Sequence, residues 1–202
     1  MVDILKLYVS AANDLPDEKE IIGQMVTEIP VTLGWQINHT PSGKNTIIGK
    51  TVLDADYHMI IFGEDIRAPV GYELYISRRQ GRKPPIFIKK NVARTIAGIE
   101  FLKNKANSYV SVSYRSLAEF RKLALTSISH FIINQKDYFQ LKTQEYEKIT
   151  NFIHSLEEID TELLDHATGA DSIILSRERY LPKDGVLIKQ PIERLSDKPI
   201  GE

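Results

Sequence analysis

Short apolar runs alternate with amphipathic stretches from about residue 4 to residue 95. The first run, Leu5-Lys6-Leu7-Tyr8-Val9, ends in Ser10-Ala11-Ala12-Asn13-Asp14, a loop composition. Asp17 to Glu28 follows with acids at its start, as a helix amino terminus prefers, and Pro30 stops it. Val31 to Ile37 reads as a second strand and Thr40-Pro41-Ser42-Gly43 as a turn. Ile48, Val52 and Ala55 then share one face of a predicted helix over 45–55. Tyr57 to Gly63 is a nearly continuous apolar run, which suits a strand covered by helices on both faces. The spacing predicts another helix over 70–79, closed by Gly81-Arg82-Lys83-Pro84, and a fourth strand over 85–89. Strands separated by single helices are βαβ units with right-handed crossovers. The pattern therefore predicts an α/β fold, an open parallel sheet of about five strands.

Beyond residue 108 the pattern changes. Tyr109 to Tyr114 alternates and reads as a fifth strand at an edge. Leu117, Phe120, Ala124, Ile128 and Phe131 mark an amphipathic helix over 117–133. A longer helix is predicted from about Tyr138 to Leu164, with Tyr146, Ile149, Ile153, Leu156 and Leu163 as its stripe and Phe152 and Ile159 beside it. The two helices are expected to pair as a C-terminal hairpin against the sheet; a protein partner or a homodimer seam through the 117–164 helices is the alternative. Pro182-Lys183-Asp184-Gly185 between apolar stretches is a hairpin signal in the tail. The expected division is 4–115 for the sheet domain, 116–168 for the helical region and 169–202 for a hairpin or loose tail.

Composition narrows the function classes. The 42% hydrophobic and 26% charged content is that of a folded chain, and a net charge of -1 gives no overall pull towards nucleic acid or anionic membrane. No apolar run is long enough to span a bilayer, the amino terminus enters a strand pattern at once, and there are no cysteines. A cytoplasmic protein without a membrane partner is expected. Charge is uneven, however. Nine cations, Arg78, Arg79, Arg82, Lys83, Lys89, Lys90, Arg94, Lys103 and Lys105, fall between Ile76 and Ala106 beside the single acid Glu100, whereas acids dominate from Asp137 to Asp171. Runs of this kind are usually solvated faces; a phosphate-bearing partner is the sharper alternative. Few aromatics interleave the basic stretch, so a nucleic-acid polymer is not expected.

In an open parallel sheet, ligands bind beyond the carboxyl ends of the strands. The residues placed there are Ser10 to Asp14, His39 to Ser42, and Gly63-Glu64-Asp65. The helix after the third strand starts near Pro69 or Val70 and carries Glu73 in its first turn or just past it, facing the cleft if that side turns inward. Ser10, Asn13, Asp14, Gly63, Glu64 and Gly71 are the candidate ligand contacts and Glu73 the candidate chemical centre; the alternative is that an acid near a helix amino terminus merely complements the dipole. A glycine-rich dinucleotide turn, a P-loop and a nucleophile elbow are all absent. The five histidines show no metal-ligand pairing, so neither a metal nor a cofactor is implied. His58, inside an apolar strand, reads as a satisfied core residue.

Lys6-Leu7-Tyr8-Val9-Ser10, Asp14-Leu15 and Glu18-Lys19 resemble the S-x-x-x-D-L-x-x-E-R opening of an uncharacterised domain family found at the amino termini of NTPase and repeat-containing signalling proteins. The later order is also similar to that of nucleoside 2-deoxyribosyltransferases and, more distantly, TIR domains. It runs from Asp54-Ala55-Asp56, through a strand ending Phe62-Gly63 and then Gly71-Tyr72-Glu73-Leu74, to Gly81-Arg82-Lys83-Pro84 and a strand. The resemblance spans roughly residues 4 to 125 and implies a Rossmann-like, flavodoxin- or TIR-like sheet with a nucleoside, nucleotide or NAD ligand. It assigns Glu73 to the sugar's anomeric carbon, where cleavage of an N-glycosidic bond builds positive charge that a carboxylate stabilises or traps. Asp65 or Glu64 would then handle the leaving base, with Ser10 and Asn13 on sugar or base. The chain departs from the transferases at Arg67-Ala68-Pro69-Val70-Gly71-Tyr72, which lacks their Asp and small hydroxyl residues, and Lys19 stands where the signalling family has Arg. The expected function is a nucleoside- or nucleotide-binding signalling domain without robust catalysis, a sensor or adaptor. An N-glycosidase or deoxyribosyltransferase-like enzyme using Glu73 is the alternative.

Overall fold

The computed structural model describes residues 3–40, 48–66, 69–105 and 109–165. Contacts divide the chain into two units, 1–158 and 159–202, and the sheet and site belong wholly to the first. The predicted tail hairpin lies outside the described residues. Five parallel strands form one sheet: β1 (Ile4–Ala11), β2 (Gly34–His39), β3 (Tyr57–Phe62), β4 (Ile86–Lys89) and β5 (Ser111–Tyr114), in the order β2-β1-β3-β4-β5. The α/β open parallel sheet read from the sequence is therefore present. Strand β2 begins later than predicted, because Gly34 is the residue that enters register beside Ile4.

Helices α1 (Pro16–Met25), α2 (Ile48–Asp54), α3 (Val70–Arg79) and α4 (Ile96–Lys105) join the strands, and α5 (Leu117–Asn134), a one-turn α6 (Lys136–Phe139) and α7 (Thr143–Asp165) follow. The chain moves from β1 outward to β2, then returns past β1 and continues through β3 to β5. With every crossover right-handed, this reversal puts α1 on one face and α2 to α4 on the other. The side chains agree. Leu5, Leu7 and Val9 of β1 pack with Ile22 and Met25 of α1, with Phe120 and Ile128 of α5 and with Ile149 and Ile153 of α7. On the opposite face Ile60 and Phe62 meet Val70 and Leu74 of α3, and Tyr8 meets Val52 of α2 and Ala55 just past it. Strand β3 is buried along its whole length, as its unbroken apolar run requires.

The apolar stripes of α5 and α7 lie within this core: Phe120, Ala124, Ile128, Ile149, Ile153 and Leu156 are buried, whereas Leu117 and Tyr146 are exposed. Leu163 and Ile159 lie outside the residues whose side chains are described. Helix α4 was not foreshadowed by periodicity, since Ile96 and Ile99 face solvent and only part of its apolar content turns inward. Its local signal is Thr95, whose hydroxyl accepts from the Gly98 amide at 3.1 Å.

The Gly81-Arg82-Lys83-Pro84 motif ends α3 and fastens α2. Gly81 adopts φ 74°, and its amide donates to the Arg78 carbonyl at 2.9 Å while that of Arg82 donates to Ser77 at 3.2 Å, a left-handed helix stop suited to glycine. The turn delivers the Arg82 guanidinium to carbonyls at the end of α2, Val52 at 3.2 Å and Leu53 at 2.8 Å, and to that of Ala55 just past it at 2.7 Å. Those carbonyls have no partners within α2, and a cation meets the negative end of the helix.

Candidate functional site

The reversal of strand order falls between β1 and β3, and the loops at their carboxyl ends open a crevice there in folds of this topology. Alternation along β1 points Tyr8 and Ser10 to the α3 side. Thr40, just past β2, extends the parallel ladder: its amide donates to Val9 O at 3.0 Å and its hydroxyl accepts from the Ala11 amide at 3.0 Å. Helix α3 starts at Val70, so Glu73 lies one turn in, with its amide donating to Pro69 O at 3.0 Å. Its side chain turns inward and has no solvent exposure.

These elements converge on the Glu73 carboxylate. The Tyr8 hydroxyl donates to Oε1 at 2.8 Å, while those of Ser10 and Thr40 donate to Oε2 at 2.6 and 2.9 Å. Three hydroxyl donors, two from β1 and one from just past β2, make a buried acid tolerable, because hydrogen bonds to water are replaced by hydrogen bonds to the protein. Burial, then the charge and hydrogen bond of Glu73, push the Tyr8 phenol above its ordinary range. Lys19 of α1 stands within electrostatic reach. Partial burial lowers its ammonium, and the charges of Asp14 and Glu73 oppose that shift.

His58 of β3 completes the network from below. Its Nε2 lies 2.7 Å from Ser10 Oγ and its ring meets Tyr8 edge-on, with centroids 5.5 Å apart. Ser10 has one proton and gives it to Glu73, so it must accept from Nε2–H. That fixes the tautomer and leaves Nδ1, which is buried and has no partner, as a bare acceptor. Burial first, and then the charge of Arg82, push the imidazole down to about 4. The satisfied core histidine of the sequence reading is satisfied on one nitrogen.

A second buried carboxylate belongs to the same edge of the sheet. Glu18 of α1 accepts the Tyr114 hydroxyl at 3.0 Å and pairs with Lys89 Nζ at 2.7 Å through Oε1, while its Oε2 is buried without a partner. The Tyr114 phenol is raised by burial and then by the charge of Glu18.

No family model matches this chain, and no curated protein is significantly similar to it. What the site can do has to come from its own geometry.

Of the residues singled out in the sequence, the fold joins Ser10 to Glu73 and joins Asp14 to the Gly63-Glu64 turn, where Asp14 Oδ2 accepts the Glu64 amide at 2.9 Å. Asn13 and Glu64 are exposed on the rim. Asp65 turns to its own neighbour, accepting the Ile66 amide at 2.7 Å, so it makes no hydrogen bond to Glu73. Gly71 serves packing, since a Cβ there would lie 3.0 Å from Ile66 O. Among the described residues no cluster of His, Asp or Glu is placed to hold a metal, and no helix is long and apolar enough to cross a membrane. Tyr8, Thr40 and the bond from His58 to Ser10 were missed. The alternation of Tyr8 with Ser10 was the available signal, because two polar-tipped residues on the inward face of a central strand need partners.

Gly63 has a specific reason to lack a side chain. A Cβ would lie 2.2 Å from Asp14 Oδ2 and 3.2 Å from Leu15 Cδ2. Gly63→Ala must therefore displace Asp14 from the Glu64 amide, and a cost of about 1–2 kcal/mol is expected in urea unfolding. The cost should shrink when Asp14→Ala is already present; a penalty undiminished in that background would place the clash elsewhere.

Proposed function

We propose that this domain binds a nucleoside, nucleotide or NAD at the carboxyl ends of β1 and β3 and serves as a sensor or adaptor, with little or no turnover. The supporting observation is that Glu73 is closed off from solvent and has both oxygens engaged by hydroxyls. Attack on an anomeric carbon requires a carboxylate lone pair at near-contact distance, and here three donors occupy that space. A ribose offers hydroxyl donors of the same kind, so exchange of a sugar hydroxyl for Ser10 or Thr40 would couple binding to a rearrangement of the network. Lys19 lies within electrostatic reach of both Glu73 and the exposed Asp14, polar groups that a ligand could meet at the rim.

One observation favours the enzymatic alternative. The same hydroxyls orient Glu73, the residue to which the resemblance assigns attack at the sugar, and an oriented carboxylate is what such chemistry uses. The test combines calorimetric titration and thermal shift with chromatographic analysis of free base, across nucleosides, deoxynucleosides, nucleotides and NAD. Saturable binding is expected, with base release no faster from the wild type than from Glu73→Gln. Release that Glu73→Gln abolishes would establish the enzyme instead. Absence of both binding and release would reject the ligand reading altogether.

A further inference from the structure

A cavity of about 350 Å³ lies away from Glu73, between β4, β5 and α4. Ile86, Ile88, Phe101 and Leu102 form apolar walls, Arg94 enters from one end and Ser111 and Ser113 line the β5 side. These serines are two apart on one strand, so the pleat turns both the same way.

Arg94 is the informative residue. Its Nη2 donates to the Lys89 carbonyl and its guanidinium lies 5.8 Å from the centroid of the Phe62 ring, which together hold the group in place. Its Nε is buried and has no partner. No described carboxylate forms an ion pair with Arg94, and the residues lining the cavity include a second cation, Lys90, but no acid. A permanent cation beside mostly apolar walls, with no carboxylate partner among the described residues, favours an arriving anion. Beyond Phe62 the aromatic contacts continue to Phe101 at 5.6 Å and from Phe101 to Tyr109 at 5.8 Å, giving the cavity an aromatic flank of mutually tilted rings.

We propose that this cavity is a binding site for a small monocarboxylate with a compact apolar body, the carboxylate meeting Arg94 and the body lying against Phe101, Ile86 and Ile88. The volume is at the lower end of the roughly 300–1,000 Å³ of ligand pockets, which suits a body of one ring or a short branched chain. A planar carboxylate matches the guanidinium fork. Of the two cations only Arg94 is partly buried, Lys90 being exposed; one negative charge is balanced within the cavity, whereas a phosphate dianion would bring a second charge against mostly apolar walls. The serine hydroxyls are positioned to take part in holding the head group. This site is independent of Glu73, so its occupation does not depend on the nucleoside reading.

The experiment titrates the full chain with 3-phenylpropanoate and 4-methylpentanoate, and with their neutral amides, by calorimetry and thermal shift. Saturable binding of the acids is expected, with the amides at least about tenfold weaker, as loss of a charge-assisted contact implies. Arg94→Gln should bring the acids down to the amides. Ser113→Phe, which leaves Arg94 in place and fills the cavity, should block both. Glu73→Gln should bind the acids like the wild type. Equal affinity for acid and amide, acid binding retained in both cavity variants, or no acid binding to the wild type at about 10 mM would each overturn the assignment.

Discussion

Replacing Glu73 with alanine is expected to destabilise the domain by about 3–5 kcal/mol, the largest effect of any single substitution at the site. The substitution removes the acceptor of three buried hydroxyls at once. Thr40 has a second acceptor, Val9 O at 3.4 Å, and recovers part of the loss. Ser10 retains only its contact with His58, where it already serves as acceptor, and Tyr8 has no other acceptor among its hydrogen bonds. Burying an acid is itself costly, and replacing a whole buried polar cluster by apolar side chains is often neutral or better. Alanine does not do that. It deletes one member, leaves the hydroxyl partners stranded and opens a space at the end of α3. Glu73→Gln keeps the shape and an oxygen for Ser10 and Thr40, but presents N–H to Tyr8, whose own proton then needs a new acceptor. Its cost is expected to be smaller, about 1–2 kcal/mol. Urea midpoints with unchanged slopes measure both. An alanine variant within about 1 kcal/mol of wild type would mean that water or a rearranged chain replaces the carboxylate, and the network would lose its structural role.

The sheet was legible because its signals are local. Period-two and period-3.6 patterns, the unbroken run of β3 and the glycine turn at Gly81 each follow from backbone geometry acting over a few residues. The position of Glu73 was also legible, since a carboxylate one turn into the helix after β3 has to lie near the strand ends. What periodicity could not supply was the set of partners. Tyr8, Thr40 and Glu73 are 32 and 33 residues apart in order, and only the β1–β2 register and the crossover of α3 bring them together. The local bond of Asp65 Oδ1 to the Ile66 amide was likewise not legible from periodicity. Helix α4 escaped because periodicity reads burial, and Ile96 and Ile99 are exposed. The S-x-x-x-D-L-x-x-E-R pattern was legible as a resemblance without a mechanism. In the fold Ser10 binds Glu73, Asp14 caps the Gly63-Glu64 turn, Leu15 is buried and Glu18 joins Tyr114 to Lys89. Four of its positions therefore hold the carboxyl edge of the sheet together.

Acid is expected to remove about 3 kcal/mol of stability through His58 alone. Burial and the nearby Arg82 charge hold the native imidazole at about 4, against 6.5 for the ordinary group. Between those values the unfolded chain takes up a proton that the native state refuses, so stability rises with pH across the window. The contribution is complete above 6.5 and is lost progressively as the pH falls to about 4. The structural reason is visible on both ring nitrogens. Nε2–H is committed to Ser10, and a proton on Nδ1 would sit in a buried position with no acceptor. His58→Gln retains an amide N–H able to reach Ser10 and has no proton to gain. It should be less stable than wild type at pH 7, by about 1–2 kcal/mol, and should converge on or overtake it near pH 4. Urea midpoints of both chains at several values between pH 7 and pH 4 give the comparison, with other titrating groups cancelling in the difference. Parallel curves would show that Nδ1 reaches water or a partner in solution, and the fixed tautomer inferred from the Ser10–Glu73 bond would fail with it. Convergence would identify His58 as a proton-sensitive support beneath Glu73. In that case ligand binding at Glu73 should weaken over the same pH window in the wild type and stay flatter in His58→Gln.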